Sequence, residues 1–274
     1  LKEVSEAVDS LDENADLPVG DMFYYGKDDQ IGEWKKFGNT LLLRMAMRLT
    51  KVDPATAQLY VNKVQDLTMT SNDDNAIVLH GTNDPLTINR IYRGIGEDGD
   101  IQLSGQISKT FIDFLKDNDD PRLPVLSYVY PPDFSTGDDP SGGSSDPADQ
   151  NGLPNGYDAG NTPHGILSYP GFLGDVNLYS RPSPIIFNNT APTLILTYAE
   201  SELLLADAAK RWGIGDAETH YNNGVLAAIT MLGAYGDAGV ISDDDAQAYL
   251  DAHPYDDANG LEMINTQFWA ATFF

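Results

Sequence analysis

The sequence predicts a mainly α-helical fold with long surface loops. Apolar residues recur at three- and four-residue spacings over much of the first third and the last third of the chain, which is the pattern of amphipathic helices. Residues that start or stop helices flank these segments. Residues 131–170, in contrast, hold seven Gly, seven Pro and six Asp and no Lys or Arg, a composition that cannot build a core. We therefore expect some eight helices and few strands.

The first third of the chain predicts three helices. Apolar positions within residues 1–11 indicate an amphipathic helix that ends near Asn14. A strong helix is predicted over 33–49. Asp53 and the proline after it form a good N-cap and first-turn pair, which opens a third helix over 54–67.

The middle of the chain predicts mostly loop. A short extended piece is expected at 76–79, and a short helix at 107–116, which the Asn-Asp-Asp-Pro cluster at 118–121 ends. The Gly-, Pro- and Asp-rich composition then predicts a long surface loop region over about 128–190.

The last third of the chain predicts helices again. One is expected over 192–212, closed by the glycine that follows, and Asp216 caps the next. Residues 192–234 are therefore predicted to form a helical hairpin. No clean 34-residue period repeats along the chain, so a regular array of helical repeats is not predicted. A capping box opens a helix over 242–250, and Leu261 starts a last helix.

Charge and composition exclude several classes of protein. With 42 acidic and 16 basic residues the formal net charge is −26, which disfavours binding to nucleic acids or to an anionic bilayer surface. No cysteine is present, so disulfides, thiolate nucleophiles and cysteine zinc sites are excluded. The four histidines show no HxH or HExxH spacing, and we predict neither a metal site nor a cofactor. No apolar run approaches the roughly 20 residues that span a bilayer.

Two helical segments carry a more specific signal. Residues 34–49 read WKKFGNTLLLRMAMRL, and residues 196–209 read LTYAESELLLADAA. Shorter motifs lie between and after them, namely DPRL at 120–123, GLPNGYD at 152–158 and YNNGV at 221–225. Together and in this order, the five segments resemble the SusD/RagB family of nutrient-binding outer-membrane lipoproteins of Bacteroidetes-type bacteria.

The resemblance implies both a fold and a role. It implies one α-helical domain over 1–274, with tetratricopeptide-like hairpins and long irregular loops. It also implies a non-enzymatic protein that captures a nutrient, most often a glycan, at the cell surface and delivers it to a TonB-dependent, SusC-like transporter. Because family members are usually longer, we expect a chain truncated at both ends, without the lipid anchor that holds the full-length protein to the outer membrane.

The loop region is predicted to hold the ligand, because its aromatic residues stand among Gly, Pro, Asn and Asp. Aromatic rings stack on the apolar faces of sugars, while polar side chains bind the hydroxyl groups at the rim. The competing expectation is that some of these rings only fix the loops to the helices. The region also contains the aromatic residues Tyr128, Tyr130 and Phe134. The predicted ligand-binding residues are Asn155, Tyr157, Asp158, Tyr169, Phe172, Tyr179 and Arg181. We expect Tyr157 and at least one of the three later aromatic residues to line one exposed concavity.

Charged residues on the two motif helices have simpler interpretations. Glu200 and Glu202 are the kind of carboxylate pair that glycoside cleavage needs. Residues two apart on a helix point in different directions, however, so they cannot flank one bond, and we predict a packing role. Arg44 and Arg48 lie one turn apart, and structural ion pairs are favoured over anion binding.

Three alternatives stay open at this point. The Asp-rich loop at 97–100 is the nearest to a calcium site, but it lacks the twelve-residue spacing of an EF-hand, and solvated turns are favoured. A helical scaffold that binds only a protein partner is a second alternative. The ligand class is the third, since aromatic loops suit peptides as well as glycans.

Overall fold

The computed structural model describes residues 1–17, 19–82, 86–92, 105–131, 139–158, 160 and 162–274. The described residues contain ten α-helices, which confirms the predicted mainly helical class, and four short strands. The helices are α1 (Lys2–Asp9), α2 (Gln30–Met47), α3 (Pro54–Val64), α4 (Arg90–Tyr92), α5 (Lys109–Asp117), α6 (Leu123–Leu126), α7 (Tyr198–Trp212), α8 (Ala217–Thr230), α9 (Asp243–Ala252) and α10 (Gly260–Ala271). The strands are β1 (Ala76–Val78), β2 (Ser127–Tyr128), β3 (Arg181–Pro182) and β4 (Thr193–Leu196).

Contacts group the chain into two compact units. The first, here called the helical unit, comprises Leu1–Leu79, Thr193–Met231 and Ser242–Phe274. The second, the loop unit, comprises His80–Pro192 and Leu232–Ile241. A single domain over residues 1–274 stays a prediction.

The predicted caps set the helix boundaries. Asp53 accepts a hydrogen bond from the Thr56 amide at the start of α3, and Asp216 caps α8 through the Thr219 amide. At the end of α7, Gly213 adopts φ 68°, the left-handed conformation in which a residue with a Cβ is disfavoured. The cap predictions at these positions are confirmed.

Two predicted boundaries are wrong by five residues or more. The first helix ends at Asp9, because the Asp12 carboxylate accepts from the Asn14 amide and closes a turn there. The helix predicted from 192 begins only at Tyr198. Thr197 caps it in an extended conformation, so the preceding residues form β4, which pairs antiparallel with β1. The extended piece predicted at 76–79 is thereby confirmed as β1.

The helical unit has its main core where α2, α3 and α7 meet. Buried aliphatic residues from these helices pack there, with the half-buried Phe268 of α10 against them. Helices α7 and α8 form the predicted hairpin and approach closely, since a Cβ added at Gly224 would lie 2.7 Å from Leu203 Cγ. A second cluster joins Tyr24 and Met69 to the half-buried Trp34 of the first motif. The motif helices therefore form the framework of this unit.

The described residues of the loop unit are held by short helices, one two-stranded sheet and isolated bridges. Strands β2 and β3 pair antiparallel over two residues each. Single bridges join Ser108 to Leu153 and Asp158 to Gly165. The described part of 131–170 is irregular apart from such bridges and short 3₁₀ turns, as its composition predicts.

Within the part of the chain that the structure describes, no helix combines the length and the apolarity needed to cross a membrane.

Candidate ligand-binding cleft

An open cleft of the loop unit lies between α5 and the loops that follow it. Its volume is about 150 Å³. The lining residues are Lys109, Asp113, Lys116, Asp117, Gln150, Asn151, Gly152, Tyr169, Gly171, Leu173 and Tyr179. One helix face and one set of loops thus share the cleft.

The loop is fixed to the start of α5 by backbone hydrogen bonds. The Lys109 amide donates to the Leu153 carbonyl at 2.8 Å, and the Leu153 amide donates to the Ile107 carbonyl at 2.8 Å. Between these bonds the chain approaches the helix so closely that only glycine fits at 152. A Cβ added at Gly152 would lie 2.3 Å from Lys109 Cα. The floor of the cleft therefore depends on this glycine.

Gly152→Ala is expected to lower the free energy of unfolding by about 1–3 kcal/mol, because the added methyl group meets backbone atoms that cannot move aside cheaply. Urea denaturation measures the loss. Gly156→Ala is the matched control: a Cβ there meets open space, and only the φ of +86° opposes it. A loss at 152 no larger than at 156 would contradict the close approach.

The helical wall of the cleft carries charges in balance. Lys109, Asp113, Lys116 and Asp117 are spaced so that they share one face of α5. Lys109 bonds the Asp113 carboxylate, and this hydrogen bond raises the pKa of the ammonium group. Lys116 Nζ donates to the Gln150 carbonyl at 2.7 Å. This wall offers donors and acceptors without a net charge.

The opposite wall is aromatic. Tyr169 and Tyr179 line the cleft, whereas Tyr157 and Phe172 are not part of its lining. This cleft therefore does not meet the prediction that Tyr157 lines the same concavity as a later aromatic residue. The ring of Tyr157 meets that of Tyr169 edge to face, with 5.4 Å between centroids, and Phe172 stacks on Tyr179 at 6.3 Å. Tyr157 is 38% exposed, whereas Tyr179 is 2% exposed and its hydroxyl accepts a hydrogen bond from the Leu173 amide. The outer pair therefore presents ring surface to solvent, and the inner pair supports it.

The three polar residues predicted for the site lie away from the cleft lining. Asn155 is exposed in the turn before Gly156. The Asp158 carboxylate accepts from the Gly160 amide at 2.7 Å and so holds its own loop. Arg181 is 1% exposed, and its guanidinium lies 5.6 Å from the Tyr130 ring centroid. Burial lowers the pKa of Arg181. Ligand contacts of these three residues stay predictions.

Sequence reasoning missed the polar half of the cleft. The spacing of charged residues at 109, 113, 116 and 117 was a usable signal, because it places four charges on one helix face next to an aromatic loop. Gln150 carried no such signal: its side chain is fixed by a bond to the Ser144 carbonyl and by one from the Ser180 hydroxyl. Phe134 and the 97–100 loop lie outside the described residues, and the described ones contain no cluster suited to a metal ion.

The paired glutamates of α7 serve packing, as predicted. Both oxygens of Glu200 bind the guanidinium of Arg44. Glu202 instead accepts from the Asn223 amide group at 3.2 Å and lies 2.8 Å from His220 Nδ1. Each carboxylate is thus engaged with a different neighbour, Glu200 with α2 and Glu202 with α8.

Comparison with known proteins gives the family of this chain. Residues 1–274 match the SusD-like family described as "Starch-binding associating with outer membrane". This chain belongs to that family, which confirms the resemblance and its helical fold. No curated protein sequence matches the chain.

Solved structures agree with this assignment. A chitin-binding protein aligns over 99% of this chain and 55% of its own, with 30% sequence identity and a TM-score of 0.77. A SusD-like protein from Bacteroidetes aligns over 99% of this chain and 61% of its own length, with 25% sequence identity and a TM-score of 0.75. A chitin-binding SusD homologue of Flavobacterium johnsoniae shares the fold over 99% of this chain and 54% of its own length. Its sequence identity is 22% and its TM-score is 0.66. The chain thus spans a little more than half the length of these relatives.

Proposed function

We propose that this chain captures a glycan in the cleft of the loop unit and releases it unchanged. The observation that carries the proposal is the contact between the exposed Tyr157 and the half-buried Tyr169, a ring of the cleft lining that lies beside a wall of paired charges. A sugar ring has one apolar face for such a tyrosine and hydroxyl groups for the Lys109 and Asp113 side. A wall without net charge suits a neutral glycan.

Chitin oligosaccharides are the first ligands to test, and starch oligosaccharides the second. Two of the three structures quoted above are chitin-binding proteins, and the family description names starch. N-acetyl groups add an apolar methyl and a carbonyl acceptor to each sugar, which suits a cleft with both rings and ammonium donors. Peptides are the rival ligand class.

We expect Tyr169→Ala to weaken binding of the preferred oligosaccharide about 10-fold, because about 1.4 kcal/mol corresponds to one lost ring contact. Isothermal titration calorimetry of the 274-residue chain with chitin, starch and peptide ligands gives the affinities. Tyr25→Ala is the matched control, since Tyr25 is 80% exposed and belongs to the helical unit. A Tyr169 variant that binds as well as the Tyr25 variant contradicts the cleft as the site.

Two further outcomes would favour a rival function, either a protein-binding scaffold or a hydrolase. If no oligosaccharide or peptide gives heat while a transporter binds tightly, a scaffold that grips only a protein is favoured. Release of shortened glycan on long incubation would instead mark a hydrolase.

Delivery to a SusC-like, TonB-dependent transporter at the outer membrane is the second part of the proposal. It rests on membership of a family described as associating with the outer membrane. Co-purification of the full-length protein with the transporter from membranes tests it. A full-length protein that fractionates away from the outer membrane, with no transporter bound, contradicts this part alone.

A further inference from the structure

The helical unit has a cleft of its own, which the proposed function does not use. It lies among the end of α2, the second half of α7 and the middle of α10, and its volume is about 170 Å³. Arg44 and Arg48 come from α2, Arg211 from α7, and Ile264 and Phe268 from α10. We call it the arginine cleft.

Arginines are concentrated here against the charge of the whole chain. The chain has seven arginines, three of which line this cleft, while its formal net charge is −26. Arginine presents five donors in a planar fork that matches a carboxylate, and it keeps its charge at any physiological pH. The lining of the cleft thus holds three arginines against a single carboxylate, that of Asp207.

The three guanidinium groups differ in how far their donors are used. Arg44 uses Nε and Nη2, which bind the two oxygens of Glu200, and Nη2 also donates to the Ile195 carbonyl at 3.0 Å. Arg211 donates from Nε to Asp207 at 2.7 Å, and its two Nη groups have no acceptor among the described residues. Burial raises the pKa of Asp207, which the nearby Arg211 partly offsets.

Arg48 is the cation of the cleft that has no acidic partner among the described residues. Its side chain is exposed, and among the described residues it has neither a hydrogen bond nor an ion pair. Because Glu200 neutralises Arg44 and Asp207 neutralises Arg211, the cleft keeps one uncompensated positive charge. A group that pairs with Arg48 and the Nη atoms of Arg211 would complete the site.

A simpler role for Arg48 exists. It occupies the C-cap of α2, where a cation interacts favourably with the helix dipole. That role needs no cleft, however, and it does not account for the Nη atoms of Arg211, which have no acceptor among the described residues.

We propose that the arginine cleft binds the carboxylate of a small molecule whose ring or chain has an apolar face. Arg48 forks onto the carboxylate, Arg211 donates a further bond, and the half-buried Phe268 contacts the apolar face. An acidic sugar and an organic or peptide-derived acid share this chemistry. The site is separate from the loop-unit cleft and does not depend on the glycan proposal.

Pairs of charged and neutral probes test the site on the 274-residue chain. Glucuronate is compared with glucose, and benzoate with benzyl alcohol, by ligand-observed NMR titration. At least one carboxylate should bind saturably with a Kd on the order of 1 mM, and its neutral counterpart at least about fivefold more weakly. Preference for glucuronate assigns the site to acidic sugars, and preference for benzoate assigns it to organic acids. Equal binding of charged and neutral members, or no saturation, overturns the proposal.

Arg48→Gln should weaken the bound carboxylate about fivefold or more, because the free fork is lost. Lys51→Gln is the matched control: Lys51 is an exposed cation three residues away that does not line the cleft. Equal losses in both variants would mean a general charge effect and would overturn the site. Unchanged melting temperatures of both variants confirm that the fold is intact, and tyrosine variants of the loop unit should leave this binding unaltered.

Discussion

Asp120→Asn is expected to lower the free energy of unfolding by about 3–5 kcal/mol, since it breaks an ion pair with no access to water. The side chains of Asp120 and Arg122 are 0% and 1% exposed. One Asp120 oxygen accepts from the backbone amide of Arg122 at 3.0 Å and from its Nε at 2.9 Å, and the other accepts from Nη2 at 2.6 Å. The amide group of asparagine keeps one acceptor and leaves a buried guanidinium without its counter-charge.

Asp119→Asn is the matched control for this prediction. Asp119 is exposed and has φ 47°, a left-handed conformation that asparagine adopts at little cost. Its replacement should change stability by less than about 0.5 kcal/mol in the same urea titration. Similar losses in the two variants would show that the buried pair contributes nothing specific.

Arg44→Ala is expected to cost about 3 kcal/mol of stability, because it leaves Glu200 charged and unpaired with 8% of its side chain exposed. The guanidinium spans α2, α7 and the Ile195 carbonyl of β4, so its loss disconnects three elements at once. Thermal and urea unfolding measure the change.

A more exposed ion pair, between another residue of α2 and a residue outside the helices, provides the comparison. Lys35 of α2 lies 2.6 Å from Glu13, whose side chain is 67% exposed. Lys35→Ala should therefore cost less than about 1 kcal/mol, as exposed pairs usually do. The prediction for Arg44 is refuted if the two losses are alike.

Local signals made most of the helices predictable. Asp53, Asp216 and Ser242 cap helices where the sequence indicates, because a cap is a contact between residues two or three apart. The start of α7 was not predictable in the same way. Residues 193–196 follow the helical pattern of their neighbours, but they pair with β1, which lies more than a hundred residues earlier in the chain.

In the candidate site, too, local features were predictable from the sequence and long-range contacts were not. The aromatic wall was predictable, because rings in a Gly- and Pro-rich loop have little local packing to do. The burial of Arg181 was not, since it depends on Tyr130 and Asn177, whose positions are set by the folding of the loops between them. Long-range contacts of this kind leave no periodic trace in the sequence.

The pairing of β1 with β4 has a consequence for how the chain can change in evolution. Val78 and Thr193 are partners in the ladder, so the residues between them leave and re-enter the helical unit at neighbouring points. When the two ends of a segment are held together by a strand pair, lengthening the segment costs little stability. Each doubling of a flexible loop costs only about 0.6 kcal/mol in closure entropy. We therefore expect residues 80–192 to be the part that homologues exchange and resize when they adapt to a new nutrient, with the helices around them left in place.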